Sequence, residues 1–224
     1  MNGTLLTDLT IPKSVTSIGD YAFHSCRELT NVTLENGVTS IGKYAFYNCS
    51  SLGSVTIPNS VTNIGDDAFA YCDKLANVNI GNGVTTIGND AFSNCRKLTN
   101  ISIPYSVTII GSYAFCNCSS LTSVYVPASV AEIGNFAFAS CPSVECFSVA
   151  KNNNNYSSDS TGCLFKHKTN SCTLLYYPIG SAQEEYSIPY YVTSIGDDAF
   201  RGCSHLLSIT IPDSVTNIGD MAFA

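Results

Sequence analysis

An Ile-Gly pair recurs at a fixed interval along most of this chain, and the interval constrains the fold more than any other feature. The isoleucines of the pair lie 23 residues apart at Ile18, Ile41, Ile64, Ile87, Ile110 and Ile133. The pair returns at Ile195 and Ile218 after a gap of 62 residues. Such a period predicts a solenoid, in which each repeat forms one coil and stacked coils share a continuous core. We therefore expect all 224 residues to form a single domain.

The positions of the repeat can be interpreted one by one. Counted from its leucine, the repeat reads L-x-x-V-x-I-P-x-S-V-T-x-I-G-x-x-A-F-x-x-C-x-x. The opening predicts a strand with Val55 and Ile57 facing inward and Ser54 and Thr56 facing outward, because side chains alternate along a strand. The proline marks the end of the sheet ladder, and V-T-x-I predicts a second short strand. The glycine is expected to supply the positive φ of a tight corner.

The segment from the glycine to the cysteine is predicted to form a short helical turn. Asp or Asn often opens it, as at Asp20 and Asp66, which suits an N-cap. Eight of the eleven phenylalanines occupy one position in this segment. A single coil cannot bury so many apolar groups, but coils stacked at about 4.8 Å cover one another.

These motifs are similar to those of a known family. LTSVTIP-like strands that alternate with SVTSIGDYAF-like segments resemble the BspA-like leucine-rich repeats of bacterial and protist surface proteins. The resemblance implies a β-rich α/β solenoid. More specifically, it implies a right-handed leucine-rich repeat superhelix with a parallel concave sheet, short strands and short helical turns on the other sides. It also implies a location at the cell surface or outside the cell, and a role in adhesion or protein binding.

The period divides the solenoid into three parts. Regular repeats cover residues 6–143, an irregular repeat covers 144–190, and regular repeats resume over 191–224. Within the irregular repeat, GCLFK and CTLLYYP flank the polar stretch HKTNS, which predicts an inserted β-hairpin. The sequence stops at DMAFA, before the cysteine of its repeat, so we expect the solenoid to be cut at both ends.

Composition argues against several classes of partner. The net charge is −7 and the ten lysines and arginines are scattered, which argues against binding to nucleic acid. The sequence contains no window of 18 apolar residues, so we expect no membrane insertion by this segment. The opening MNGTLLTDLT does not resemble a signal peptide.

The eleven cysteines and three histidines are the side chains best suited to bind a metal ion, form disulfides or act in catalysis. Seven cysteines share one repeat position and are predicted to form a ladder of buried free thiols, with disulfides between neighbouring coils as the alternative. Cys163 and Cys172 form a possible disulfide across the predicted hairpin. No motif predicts a zinc site, and no histidine has the spacing of a catalytic signature. We expect no enzymatic activity, no catalytic residue and no cofactor.

Function is instead expected where the repeat lets residues vary. We predict a non-enzymatic binding module for a protein or glycan, such as one of a host surface or matrix. The candidate binding residues are the outward strand positions and two tyrosines of the insertion: Asn31, Thr33, Ser54, Thr56, Asn77, Asn79, Asn100, Ser102, Ser123, Tyr125, Tyr176 and Tyr177. Two alternatives remain open, a structural spacer that presents another domain and, more remotely, binding of ice or crystal surfaces by threonine rows.

Overall fold

The protein is a solenoid of nine coils in this computed structural model, which describes residues 5–224. The first strands of successive coils are β1 Asp8–Ile11, β3 Asn31–Leu34, β5 Ser54–Ile57, β7 Asn77–Ile80, β9 Asn100–Ile101, β11 Ser123–Val126, β13 Cys146–Val149, β17 Glu185–Ser187 and β19 Ser208–Thr210. The second strands are β2 Ser17–Ile18, β4 Ser40–Ile41, β6 Asn63–Ile64, β8 Thr86–Ile87, β10 Ile109–Ile110, β12 Glu132–Ile133, β18 Ser194–Ile195 and β20 Asn217–Ile218. The seventh coil also contains β14 Tyr156–Ser158, β15 Leu164–Lys168 and β16 Ser171–Tyr176.

Both rows of strands pair in parallel, with a register that matches each repeat position to its copy in the next coil. Asn31 lies beside Ser54, and Ser54 lies beside Asn77. A bridge between Asn79 and Ser102 links β7 to the following coil, so the first strands from β1 to β13 share one surface. The second strands from β2 to β12 form one six-stranded sheet. The predicted alternation of exposed and buried positions is present, for example in β5.

The predicted helical turns are wrong, because residues 5–224 contain no helix. The eight residues from the glycine to the cysteine of each coil, here called the turn segment, are two successive tight turns. In the first coil, Tyr21 and Ser25 have left-handed φ angles of 58° and 59°. Alternate N–H groups point out of the coil, so Phe23 N–H donates to the Ala45 carbonyl of the next coil at 2.8 Å. Pairing between coils has therefore replaced the bonds of a helix.

In six coils the glycine of the turn segment is required for close approach rather than for a positive φ, whereas a Cβ on Gly19 of the first coil would meet nothing within 4 Å. A Cβ on Gly65 would lie 2.6 Å from the Gly42 carbonyl carbon and 2.8 Å from the Lys43 nitrogen. The Asp or Asn that follows also acts between coils instead of capping a helix. The Asp20 carboxylate accepts the Lys43 N–H at 2.8 Å, and Asp66 accepts the Asn89 N–H at 3.0 Å.

The core consists of rows of identical side chains, as the period predicts. The phenylalanine rings of successive coils stack nearly parallel, with centroids 5.4 Å apart and planes 2° apart for Phe69 and Phe92. The cysteines next to them form no disulfide, and the Cys95 thiol donates to the Phe69 carbonyl at 3.3 Å. Six of the seven ladder cysteines are buried, and Cys203 is half-buried. The prediction of a ladder of thiols without disulfides is therefore confirmed.

The seventh coil interrupts the stack. Its β15 pairs antiparallel with β16, and β16 then pairs in parallel with β18 of the eighth coil. The core divides here into two clusters, one around Phe138 and the other around Phe200. The Tyr156 hydroxyl accepts the N–H of Ile133 at 2.8 Å, where β12 has no following strand to pair with.

The suggested disulfide between Cys163 and Cys172 is absent. Both cysteines are free and buried. Cys172 lies opposite His167 of β15, whereas Cys163 lies just before that strand and four residues before His167. At about 3.3 Å per residue this offset is roughly 13 Å, whereas the Cα atoms of a disulfide lie within about 7 Å of each other.

Candidate binding face

Two columns of exposed side chains run along the first strands. One column contains Asn31, Ser54, Asn77, Asn100 and Ser123, and the other contains Thr33, Thr56, Asn79, Ser102 and Tyr125. All ten residues are exposed, and the parallel register aligns each with its copy in the neighbouring coil. The structure thus brings together the ten predicted strand residues, and we call this surface the strand face.

Much of the strand face has unused hydrogen-bonding capacity. At its first edge the Asn31 side-chain amide donates to the Asp8 carboxylate at 2.7 Å, which lowers the pKa of Asp8. Further along, within residues 5–224, the side chains of Ser54, Asn77 and Asn79 form no hydrogen bond. These donors and acceptors are therefore available to a partner on a backbone held rigid by the sheet.

A shallow groove follows the second column where the strands end. It has a volume of about 810 Å³ and is lined by Thr56, Asn79 and Ser102 together with the turns that follow the strands. Tyr125 and Tyr105 also line the groove, and they are 43% and 74% exposed. Exposed tyrosines offer a large contact area together with a polar tip, as binding anchors do.

Tyr105 was missed by sequence reasoning. It follows Pro104 in the turn, at a position where the four earlier coils have Lys13, Asn36, Asn59 and Asn82. The detectable signal was an aromatic residue among polar ones, but only the structure shows that it lies beside Tyr125 on the same groove.

Tyr176 and Tyr177 do not belong to the strand face, so their prediction as exposed anchors is wrong. They are 8% and 2% exposed. Tyr176 stacks on Phe147 with ring centroids 5.6 Å apart, and its burial raises the pKa of its hydroxyl. Tyr177 stacks on Phe200 at 5.3 Å. Both rings are therefore part of the core.

The threonines of the second strands form a separate row, whose hydroxyls act within the fold. The Thr39 hydroxyl donates to the Thr16 carbonyl at 2.9 Å, and Thr62 donates to Thr39 at 3.2 Å. The row is interrupted at Ala131. Because six of the seven hydroxyl protons are donated to carbonyls of a neighbouring coil, this row does not favour the alternative of ice binding.

The side-chain types that act in catalysis or metal binding in other proteins do not come together at one site in residues 5–224. Ser157 Oγ lies 2.7 Å from His167 Nε2, but within residues 5–224 no carboxylate is hydrogen-bonded to that ring. The described part of the chain also contains no group of three or more His, Cys, Asp or Glu side chains that could hold a metal ion. It has no helix long and apolar enough to cross a membrane.

A known family of repeats matches most of the chain. Six copies of the BspA type leucine rich repeat region match residues 1–98, 39–170 and 179–224. The chain belongs to this family. The resemblance seen in the repeat is thereby confirmed, whereas no curated protein matches the chain.

Solved structures of similar proteins have the same architecture. A leucine rich cell surface protein from Faecalibacterium prausnitzii is 32% identical with a TM-score of 0.77, over 97% of this chain and 66% of that one. A leucine-rich repeat protein from Eubacterium ventriosum is 27% identical with a TM-score of 0.78, over 96% of this chain and 56% of the other. The pneumococcal vaccine antigen PcpA is 24% identical with a TM-score of 0.68, over 97% and 48% of the two chains. The chain thus spans between about half and two thirds of the length of these three proteins.

Proposed function

We propose that this BspA-type repeat segment is a non-enzymatic module of a cell-surface or secreted protein that binds a partner protein through the strand face. The observation that carries the proposal is the groove of about 810 Å³, in which Tyr105 and Tyr125 lie beside hydrogen-bonding side chains without internal partners. Binding energy concentrates on such aromatic anchors surrounded by polar contacts. A relative described as a leucine rich cell surface protein supports the proposed location.

The charge and shape of the face define the partner more closely. Near the groove the charged residues are few, with Lys13 and Glu35 at one end. A partner is therefore expected to present a polar surface of low charge, with apolar contacts for the two tyrosines. The binding should depend only weakly on salt, because steering between unlike charges is a small part of it.

The experiment is a binding screen against an array of purified host matrix proteins and glycans, with matched tyrosine variants. Any ligand captured by the wild-type chain is measured again with Tyr105→Ala, Tyr125→Ala and the control Tyr190→Ala. Tyr190 is 84% exposed but lies outside the groove. We expect each groove variant to weaken binding by about tenfold or more, which corresponds to roughly 1.4 kcal/mol or more.

Three results would contradict the proposal. Equal losses in all three variants would place binding outside the groove. Capture of a glycan alone would make the partner a carbohydrate. No capture from the array would favour the alternative of a spacer that presents another domain.

A further inference from the structure

The row of turn segments has a gap where the seventh coil leaves it. Tyr177 takes the place of the ladder phenylalanine, since its N–H donates to the Ala199 carbonyl at 2.8 Å and its ring stacks on Phe200. In a regular coil the phenylalanine is followed by three more residues of the turn segment, the last being the cysteine. After Tyr177 the chain instead turns away, and the Gly180 N–H donates to the Val144 carbonyl at 2.8 Å. The seventh coil therefore lacks the last three residues of a turn segment.

The missing residues leave a cleft of about 490 Å³ between the sixth and eighth coils, here called the slot. Phe138, Cys141 and Tyr177 contribute apolar surface to it, and Ser140 and Arg201 line it from opposite coils. Its volume lies within the range of roughly 300–1,000 Å³ that is common for binding sites.

Three backbone groups at the slot lack the partners that their copies have in other coils. They are the N–H of Ser140, the carbonyl of Phe138 and the carbonyl of Arg201. Within residues 5–224 no hydrogen bond is formed by any of these three groups. Backbone groups that face a partly apolar cleft gain from a partner that satisfies them.

The regular coils show which groups normally fill these positions. The N–H of Asn117 corresponds to that of Ser140, and it donates to the Ala139 carbonyl of the following coil at 3.0 Å. The Phe115 carbonyl corresponds to that of Phe138, and it accepts the thiol of Cys141 at 3.2 Å. All of the missing partners thus come from three consecutive residues of one polypeptide.

We propose that the slot binds a short segment of a partner polypeptide, which completes the ladder between the sixth and eighth coils. The carbonyl of its first residue accepts the Ser140 N–H, and the N–H of its second residue donates to the Arg201 carbonyl. A thiol or hydroxyl on its third residue donates to the Phe138 carbonyl. A neutral backbone fits better than an anion, because the Arg201 guanidinium is already paired with Asp198 at 3.1 Å. This site is separate from the strand face.

The test uses the tripeptide acetyl-Tyr-Asn-Cys-amide, which copies residues 47–49 of a regular coil. It is titrated into the isotopically labelled chain, and the backbone amide resonances are followed by NMR. We expect saturable shifts centred on Ser140. Acetyl-Tyr-Pro-Cys-amide lacks the N–H for Arg201, and acetyl-Tyr-Asn-Ala-amide lacks the thiol for Phe138. We expect the proline peptide to bind at least about tenfold more weakly, and the alanine peptide to be weakened as well.

A variant of the protein gives an independent measurement. Ile179 lines the slot and is half-buried, so Ile179→Trp should fill the space and abolish the shifts. Far-UV circular dichroism checks that this variant is folded, and the peptide series decides the question if it is not.

Three outcomes would overturn the proposal. One is the absence of saturable shifts at Ser140 up to about 10 mM peptide, because a dissociation constant above that concentration is weaker than in most specific recognition. Another is an affinity for the proline peptide equal to that for acetyl-Tyr-Asn-Cys-amide. The third is a self-associating chain whose Ser140 amide is already protected from exchange before peptide is added, since a second copy would then occupy the slot.

Discussion

Replacing Gly65 by alanine tests directly whether close stacking, rather than a special backbone angle, explains the glycine of the repeat. The added Cβ would lie 2.6 Å from the Gly42 carbonyl carbon. To reach about 3.5 Å, the lower limit of a favourable carbon–carbon contact, the two coils must separate locally by about 0.9 Å. The N–H of Gly65 donates to the Ile41 carbonyl at 2.9 Å, and that separation would stretch the bond beyond a useful length.

The expected cost combines two effects. Overpacking a rigid site costs about 1–3 kcal/mol, and loss of a backbone hydrogen bond adds about 1 kcal/mol. We therefore expect Gly65→Ala to lower the free energy of unfolding by about 2–4 kcal/mol. Gly53 is the matched control in the same coil, because a Cβ there meets nothing within 4 Å. Gly53→Ala should change the free energy of unfolding by no more than about 0.5 kcal/mol.

The assay is equilibrium unfolding in urea followed by far-UV circular dichroism. Hydrogen exchange adds a local measurement, because unfolding of a repeat array need not be a single transition. Amides of the third coil should exchange faster in Gly65→Ala than in the wild type, while those of the distant ninth coil should change less. Similar losses for the two alanine variants, or no loss for Gly65→Ala, would refute the steric explanation.

Three further predictions concern the thiols and the interruption. Iodoacetamide at pH 8 should label the exposed Cys146 first and the fully buried Cys95 only on unfolding, as read by peptide mapping; rapid labelling of Cys95 in the folded chain would contradict the ladder. Burial raises the pKa of the Cys49 thiol from 9.0 to about 12, so this thiol loses its proton at a lower pH in the unfolded chain than in the folded one. Its contribution to the free energy of unfolding is therefore complete below pH 9 and should fall as the pH rises from 9 to 12. Urea midpoints across that range measure this effect, and a midpoint that rises with pH would have the wrong sign. Tyr156→Phe removes the acceptor of the Ile133 N–H and should cost about 1–3 kcal/mol, whereas the exposed control Tyr190→Phe should cost almost nothing; equal urea midpoints for the two variants would exclude the proposed role.

Local pattern accounts for much of the strand face. Alternation along L-x-x-V-x-I placed Ser54 and Thr56 outward, and the invariant period placed their copies in register. These positions could be predicted because each repeat is one structural unit that packs against copies of itself. Tyr105 could not be assigned to the groove in the same way, because its place depends on how turns of different coils lie together.

The turn segments show why the prediction of a helix failed. Tyr21 and Ser140 adopt left-handed φ angles, although this region of backbone conformation favours glycine and asparagine. The left-handed conformation costs about 1–2 kcal/mol for such residues, so local propensity argues against it. Each turn segment recovers this cost through hydrogen bonds to the next coil, such as Phe23 to Ala45. A sequence read one segment at a time does not contain those partners.

The irregular seventh coil shows most clearly how information from the sequence differs from information that depends on packing. The position of the break, and the presence of Tyr156, Tyr176 and Tyr177 within it, can be read from the sequence alone. The burial of these rings, and the slot that remains beside them, follow only from the packing of the coils. The cause is that a repeat sets the environment of a residue through its copies in the neighbouring coils. A residue of the irregular coil has no copies, so its environment depends on the space that the sixth and eighth coils leave open.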